Sequence, residues 1–381
     1  MISKGGVLVD KHLRQALGSY IKSSNGFNKL QIQPASLDLT LSDKGWRIAG
    51  SFLPSGPNVL DEVDVYEELD LSKSVLIEPN IPYMFRLSEV LNLPKGFHGK
   101  TNPKSSIGRA GLLVRVVVAG RAPSFDVIPD GYKGELYVQV ISTSFPIILR
   151  KGLALTQLRL YDGMYFGLDD SDLKIAFGKE PLIYVEGKPV PVDEVDVRDG
   201  IVLSINLKNY DIAGFRAKKR TPPLDLTKIY YHDPLKYFEP IPRTNRVIIS
   251  KDDFLILSAL EAIKVTPGFA AELKPFGHGY GDLRAHYAGF FDPGWGYGRY
   301  KVGRQTKFVA GAEPTLEVMS MESSLMLRHG QPICTIGYER CKDFPERIYG
   351  ATGSHYHVQN RGPTLSKYFK VIPFKEMLRL V

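Results

Sequence analysis

The chain has 381 residues, a net charge of +8 and 43% hydrophobic residues, with 36 glycines and 26 prolines. That length supports two domains and a large core, and no apolar run is long enough to span a bilayer. Its two cysteines, Cys334 and Cys341, are too few for a disulfide framework. With an opening MISKGGVLVDKHL that does not read as a signal peptide, they predict a reducing cytoplasm. The basic charge suits nucleic acid, a triphosphate ligand or simply a basic surface. There is no basic–aromatic stripe and no helix-turn-helix cue, so nucleic acid is set aside.

Short Val/Ile/Leu/Tyr runs between turn residues predict a mostly β chain with short helices. Residues 8–22 carry apolar residues at helical spacing with Asp10 as N-cap. IQPASLDLTL (32–41) alternates like a strand, and GWRIAGSFLP (45–54) follows. The acidic run DEVDVYEELDL (61–71) reads as a solvated strand edge or loop. Strands and turns from Val75 lead into PKSSIGRAGL (103–112). Here Ser105 and Ser106 lie between Lys104 and Arg109, with Gly108 and Gly111 beside them. Hydroxyls, neighbouring N–H groups and two cations suit a polyphosphate, and glycines let backbone approach a ligand. A solvated Ser/Gly turn is the plain alternative. The strand LLVRVVVAG (112–120), the hairpin IPDGYKGELYVQV (128–140) and the alternating FPIILRKGLALTQLRLYDG (145–163) complete this half.

Residues 166–199, rich in Asp, Gly, Lys and Pro, read as a linker. Then the pattern returns. GIVLSINL (200–207) echoes SLDLTL, and YDIAGFRAKKRTPPLDL (210–226) echoes GWRIAGSFLP and its sequel. VIISKDDFLILSALEAIKVTPGFAAELKPFG (247–277) parallels VLIEPNIPYMFRLSEVLNLPKGFHGKTNPKS. FFDPGWGYG (290–298) parallels FDVIPDGYKG, and LRHGQPICTIGYER (327–340) parallels LRKGLALTQLRLYD. Self-similarity over half a chain indicates tandem duplication. The expected domains are 1–165 and 200–381.

The SSIGR core, the QPASLDL strand and the PDGYKG hairpin stand together as they do in the dCTP deaminase/dUTPase superfamily, which the chain resembles. The resemblance implies two tandem dUTPase-like β-barrel or jelly-roll domains with short flanking helices. It also implies zinc-independent hydrolytic deamination of dCTP to dUTP. In deaminases of this family the strand after a PGW hairpin carries the general base. TLEVMS (315–320) places Glu317 there, whereas the first copy has Gln139 in LYVQVIS. The first copy in turn keeps the serine cradle, which FGHGYGDLR (276–284) lacks. A surface carboxylate is the plain alternative for Glu317, and the insert 299–314 is longer than is usual in the family.

The same resemblance gives Arg109 and Ser105 the tasks of holding water and stabilising charge. A partly desolvated Glu317 with a raised pKa would move the proton. Residues Ala288 to Trp295 become the base pocket, with Asp292 and Trp295 shaping the turn; Trp295 alone would read as a core aromatic. The tail HYHVQNRGPTLSKYFK (355–370) resembles the family's nucleotide-covering signature through Tyr356, Gln359, Gly362, Thr364, Ser366 and Lys367. A disordered basic end is the alternative. Lys104, Ser105, Ser106, Gln359 and Lys367 would meet the triphosphate, with Mg²⁺ bridging its oxygens. Zinc is not expected, since the His-x-Glu and Pro-Cys-x-x-Cys pair is missing. Single-domain relatives are trimers with sites between subunits. A composite site between the two copies is therefore expected, and a homo-oligomer stays open. Two other readings remain. One is a dUTP pyrophosphatase or bifunctional enzyme, against which Pro129 occupies the hydrolase aspartate position. The other is a non-catalytic dCTP- or dUTP-binding regulator.

Overall fold

The structure is a computed structural model and describes residues 5–120, 124–164, 167–276, 283–284, 289–302, 305–321, 324–351, 362–373 and 377. Short strands dominate, as the alternating runs predict. One sheet runs through Leu112–Val118, Lys133–Ser142, Pro82–Asn92, Leu37–Ile48, Ala154–Asp162 and Phe97–Pro103. A second runs through Phe238–Pro242, Ile212–Ala217, Phe254–Ala259, Ile201–Asn206, Pro332–Arg340 and Phe269–Pro275. The alternation of inward leucines and valines builds two cores, the first of which also takes Ile212, Phe215, Phe238, Phe254 and Ile256 from the second sheet.

The expected first helix is shorter than 8–22. It spans Asp10–Ala16, and Val9 holds the cap position. Asp10 lies inside the helix, where its carboxylate accepts from the Glu346 amide at 2.9 Å and pairs with Arg14 at 3.3 Å. Gly18, with φ +82°, then turns the chain. The 166–199 segment is folded. It holds a helix, Asp170–Lys179, capped by Asp169, and Leu173, Phe177, Leu182 and Ile183 enter the second core.

Strand register identifies equivalent positions in the two copies. VLIEPNIPYMFRLSE and VIISKDDFLILSALE align without a gap, so Met84 corresponds to Ile256. Gln139 pairs with Met84 and Glu317 pairs with Ile256, which makes Gln139 and Glu317 the same position. Trp46 pairs with Met84 and Phe215 with Ile256. The register therefore sets Gly45-Trp46-Arg47 over Gly214-Phe215-Arg216. The IAG tripeptides of the two copies, which look alike in sequence, are out of register. Both glycines are needed: a Cβ on Gly45 would strike the Phe85 ring, and one on Gly214 the Ile256 carbonyl at 2.8 Å.

After these matched strands the two copies diverge. In the first, residues 49–64 fold back on their own barrel. Phe52, Val59, Leu60 and Val63 pack with Trp46, Met84, Val117 and Tyr137. Gln139 clamps this loop. Its Oε1 accepts from Ser51 Oγ at 2.6 Å and from the Phe52 amide at 3.1 Å, and its Nε2 donates to the Phe52 carbonyl at 2.6 Å. In the second copy, residues 218–237 leave their barrel. Leu224–Asp225 pairs in parallel with Ile147–Ile148 of the first.

A buried polar network joins the barrels. Arg159, fully buried, donates to Glu339 at 2.8 Å and to the Ala271 and Phe291 carbonyls at 3.3 Å, and its guanidinium stacks 4.0 Å from the Phe290 ring. Asp292 lies 3.9 Å away and accepts from Ser36. Tyr161 also donates to Glu339, at 2.9 Å. Burial drives the Asp292 carboxyl up to about 6, against the pull of Arg159.

Two outcomes follow from this packing. Arg159→Ala strands the Glu339 and Asp292 carboxylates in the seam and should cost about 3–5 kcal/mol. Denaturant unfolding checks this, and a loss near zero would show that the network does not hold the barrels. Gln139→Ala leaves the Phe52 backbone groups unmatched and should cost about 1–3 kcal/mol. The same measurement, with an unchanged midpoint, would contradict the clamp.

Candidate active site

The PKSSIGR stretch folds as a single helical turn, Ser105–Gly108, following strand Phe97–Pro103. The Ile107 and Gly108 amides close it onto the Lys104 carbonyl. Gly111, at φ +73°, turns the chain into the next strand, and a Cβ there would meet Ser144 at 3.1 Å. Ser106 is buried and Ser105 half-buried. Arg109, the residue after the turn, is only 3% exposed.

Glu317 lies on Thr315–Ser320, a strand of the second barrel held by Phe254–Ala259, and is 1% exposed. Its Oε1 lies 3.7 Å from Arg109 Nε. A cation from one copy and a carboxylate from the other thus meet in the interior of one chain. The carboxylate with its fixed counter-charge can accept and return a proton. The guanidinium holds its orientation and offers positive charge to a developing anion.

The tail closes over this pair. The Thr364 carbonyl accepts from Arg109 Nη1 at 3.2 Å, and its amide lies 3.4 Å from Thr315 Oγ1. Ser366 Oγ donates to the Ser106 carbonyl at 2.7 Å. Lys367 approaches Lys104 and Asp38. Burial, and then the nearby Lys104 charge, lower its ammonium pKa, with Asp38 opposing. Lys104 is itself ion-paired to Asp38.

The hairpin residues sit elsewhere in the seam. Asp292 lies against Ser36 and Arg159, as described above. Trp295 is buried in the second core, edge-on to Phe291 at 5.0 Å. Ala288, Tyr356 and Gln359 lie outside the described residues. Cys334 is wholly buried in the second core, and burial raises its thiol pKa. Among the described residues no group of three or more His, Cys, Asp or Glu is placed to hold a metal, and no helix is long and apolar enough to cross a membrane. A cleft of about 260 Å³, lined by Asn25, Asn28, Gln31, Asp38 and Thr40 among others, shares Asp38 with the Lys104 ion pair. Neither Arg109 nor Glu317 lines it.

Sequence reading missed the seam network around Arg159 and Glu339 and the crossing segment 218–237. Arg159 carried a signal: an arginine in the otherwise apolar alternation LALTQLRLY points to a buried partner.

Comparison with known proteins agrees with this architecture. The family model described as 2'-deoxycytidine 5'-triphosphate deaminase (DCD) N-terminal domain matches residues 4–164. The model for the C-terminal domain of the same family matches residues 170–369. The dCTP deaminase of Ignicoccus hospitalis is 26% identical over 162 residues, which are 40% of this chain and 81% of that protein. The dUMP-forming dCTP deaminase of Acidothermus cellulolyticus is 28% identical over 164 residues, covering 41% and 79%. The crystal structure of 2'-deoxycytidine 5'-triphosphate deaminase from Agrobacterium tumefaciens superposes with a TM-score of 0.80 at 36% identity. The match covers 88% of this chain and 99% of that one. With both barrels matched in order, this chain belongs to the 2'-deoxycytidine 5'-triphosphate deaminase family.

Proposed function

We propose that the chain converts dCTP and water to dUTP and ammonia at the Arg109–Glu317 pair. The observation that carries the reading is that pair: a buried carboxylate and a buried guanidinium, one from each copy, 3.7 Å apart beneath the tail. Glu317 takes a proton from water as the oxygen bonds to C4 of cytosine, and that proton passes to N3. The proton of the new hydroxyl then moves to the exocyclic amine. The C4–N bond breaks, ammonia leaves, and C4 keeps the oxygen as the uracil carbonyl. Arg109 orients Glu317 and, with Ser105, steadies the water and the developing negative charge. The base is read by the family-like hairpin that ends at Trp295, with Asp292 and Trp295 holding its turn through Ser36, Arg159 and Phe291 rather than reacting. Lys104, Ser105, Ser106 and Lys367, joined by Tyr356 and Gln359 of the tail, take the triphosphate. Residues 362–370 cover it.

The domain division we propose is 1–165 and 200–381, the two copies matched by strand register, with the helix-bearing 166–199 between them packed on the second barrel. Mg²⁺ enters with the triphosphate as its counter-ion, and no protein cage for it is invoked. Zinc plays no part in this reading, because the zinc-deaminase motifs are missing and Cys334 is committed to packing. A cytoplasmic setting fits two unpaired cysteines. The base and its arginine already meet within one chain, so a second copy is not needed to complete them, whether or not copies associate.

Glu317→Gln should lower ammonia release from dCTP by about 10²–10⁴-fold while dCTP still binds. Near-normal turnover would remove Glu317 from the mechanism. Mixing Arg109→Ala chains with Glu317→Gln chains should restore no activity, since every within-chain site then carries a lesion. Recovery on mixing would place the site between chains. Titration calorimetry on Glu317→Gln should give one dCTP per chain, because the Gln139 position is filled by its own loop. A zinc-selective chelator should leave turnover intact in the presence of Mg²⁺, and loss of activity with release of stoichiometric zinc would overturn the carboxylate mechanism.

A further inference from the structure

The segment that crosses from the second barrel to the first also holds the tail. Leu224 and Leu226 are buried in the first core, and their amides donate to the Pro146 and Ile148 carbonyls. From this footing the segment turns back and bonds the tail backbone to backbone. The Tyr230 amide donates to the Lys367 carbonyl at 2.8 Å, and the His232 amide to the Tyr368 carbonyl at 3.1 Å. The Lys370 amide returns a bond to the His232 carbonyl at 2.8 Å. Phe369 is clamped edge-on by Tyr237 and Phe238, at 5.3 and 5.4 Å. The opposite side of the same short tail reaches Arg109, Thr315 and Ser106.

His232 locks the turn that makes this possible. It is buried, and its Nε2 lies between the Asp225 amide at 3.2 Å and the Asp225 carbonyl at 3.1 Å. With the proton on Nδ1, the ring donates to the Tyr237 hydroxyl oxygen at 3.2 Å, and Tyr237 donates on to the Pro223 carbonyl at 3.1 Å. One side chain thus fixes both ends of the segment that seats Lys367 to Lys370.

We infer that residues 221–238 are the seat of the nucleotide-covering tail and that His232 is a positioning residue for the reaction, acting through the tail and not on the nucleotide. The inference rests on the reading that residues 362–370 close over dCTP. The seat holds the tail through its backbone and the Phe369 ring, and leaves Thr364, Ser366 and Lys367 to the site.

In the full-length enzyme, His232→Ala should raise KM for dCTP about tenfold while kcat stays within about threefold. His232→Gln, which keeps an acceptor for the Asp225 amide, should recover part of that loss. Trypsin should cut after Lys367 faster in His232→Ala than in the unaltered protein, with or without dCTP. Ser366→Ala, which frees the tail from the cradle, should be non-additive with His232→Ala in KM. Should His232→Ala fold poorly, Lys370→Pro removes the amide that bonds the His232 carbonyl from the exposed end of the tail, and should give the same KM rise. Unchanged KM in both variants while the unaltered enzyme turns over dCTP would overturn the inference alone, as would unchanged cutting after Lys367 in nucleotide-free protein. An unaltered chain that never deaminates dCTP would instead defeat the proposed function.

Discussion

A buried cation and anion taken from two different barrels tolerate little relative movement. Arg109 and Glu317 lie 3.7 Å apart at 3% and 1% exposure. Stripped of water, each stabilises the other, and separating them would weaken the pairing of two buried charges. The pair therefore demands that the barrels be fixed to one another, and two devices do this. The Arg159–Glu339–Asp292 network supplies directional bonds deep in the seam. The 218–237 segment supplies apolar area, since Leu224, Leu226, Tyr237 and Phe238 pack in the core that also holds Leu112, Val114 and Phe145. Polar bonds set the register, and apolar burial supplies most of the attraction.

The two copies reach this arrangement by opposite use of one loop. Both barrels leave the Gly-Trp-Arg or Gly-Phe-Arg strand at the same register. In the first copy the next residues bring Phe52, Val59 and Leu60, which find an apolar patch on their own barrel. In the second they bring AKKRTPPLDL, whose two prolines favour an extended path. That path ends in a parallel pairing with the first barrel and then in the seat of the tail. Duplication supplied two loops, and different local composition sent them in different directions.

Much of this was legible in the residues, and the limits are physical. Strand alternation marked the mostly β fold, and self-similarity marked the two copies. The SSIGR and TLEV stretches pointed to Arg109 and Glu317 through their resemblance to the family's motifs, and the structure sets the two 3.7 Å apart. Chain order also suggested that one copy had kept the cradle and the other the carboxylate. Register was harder. The two IAG tripeptides look equivalent, yet the ladder sets Gly45 over Gly214, because register is decided by side-chain burial on partner strands rather than by local likeness. The first helix was overextended because leucine and tyrosine spacing continues past Gly18, where a left-handed residue ends it. The seam network was invisible for another reason: Arg159, Glu339 and Asp292 are far apart in sequence, and nothing in any one of them names its partners.

Gln139 shows how a position freed from one duty takes on another. A glutamate there could still accept from Ser51 and the Phe52 amide, but its second oxygen would face the Phe52 carbonyl, acceptor against acceptor. Glutamine offers an acceptor to the first two and a donor to the third. The amide is thus the better group once the loop lies over the barrel, and the carboxylate is the better group only where an arginine faces it. This choice also gives the chain a direction. With its own loop clamped by Gln139, the first barrel keeps residues 51–63 on its own surface, while the second barrel sends a segment that pairs with the first and seats the tail against it. At this loop the two copies are therefore asymmetric, and the second barrel's segment holds the tail beside a guanidinium from one copy and a carboxylate from the other.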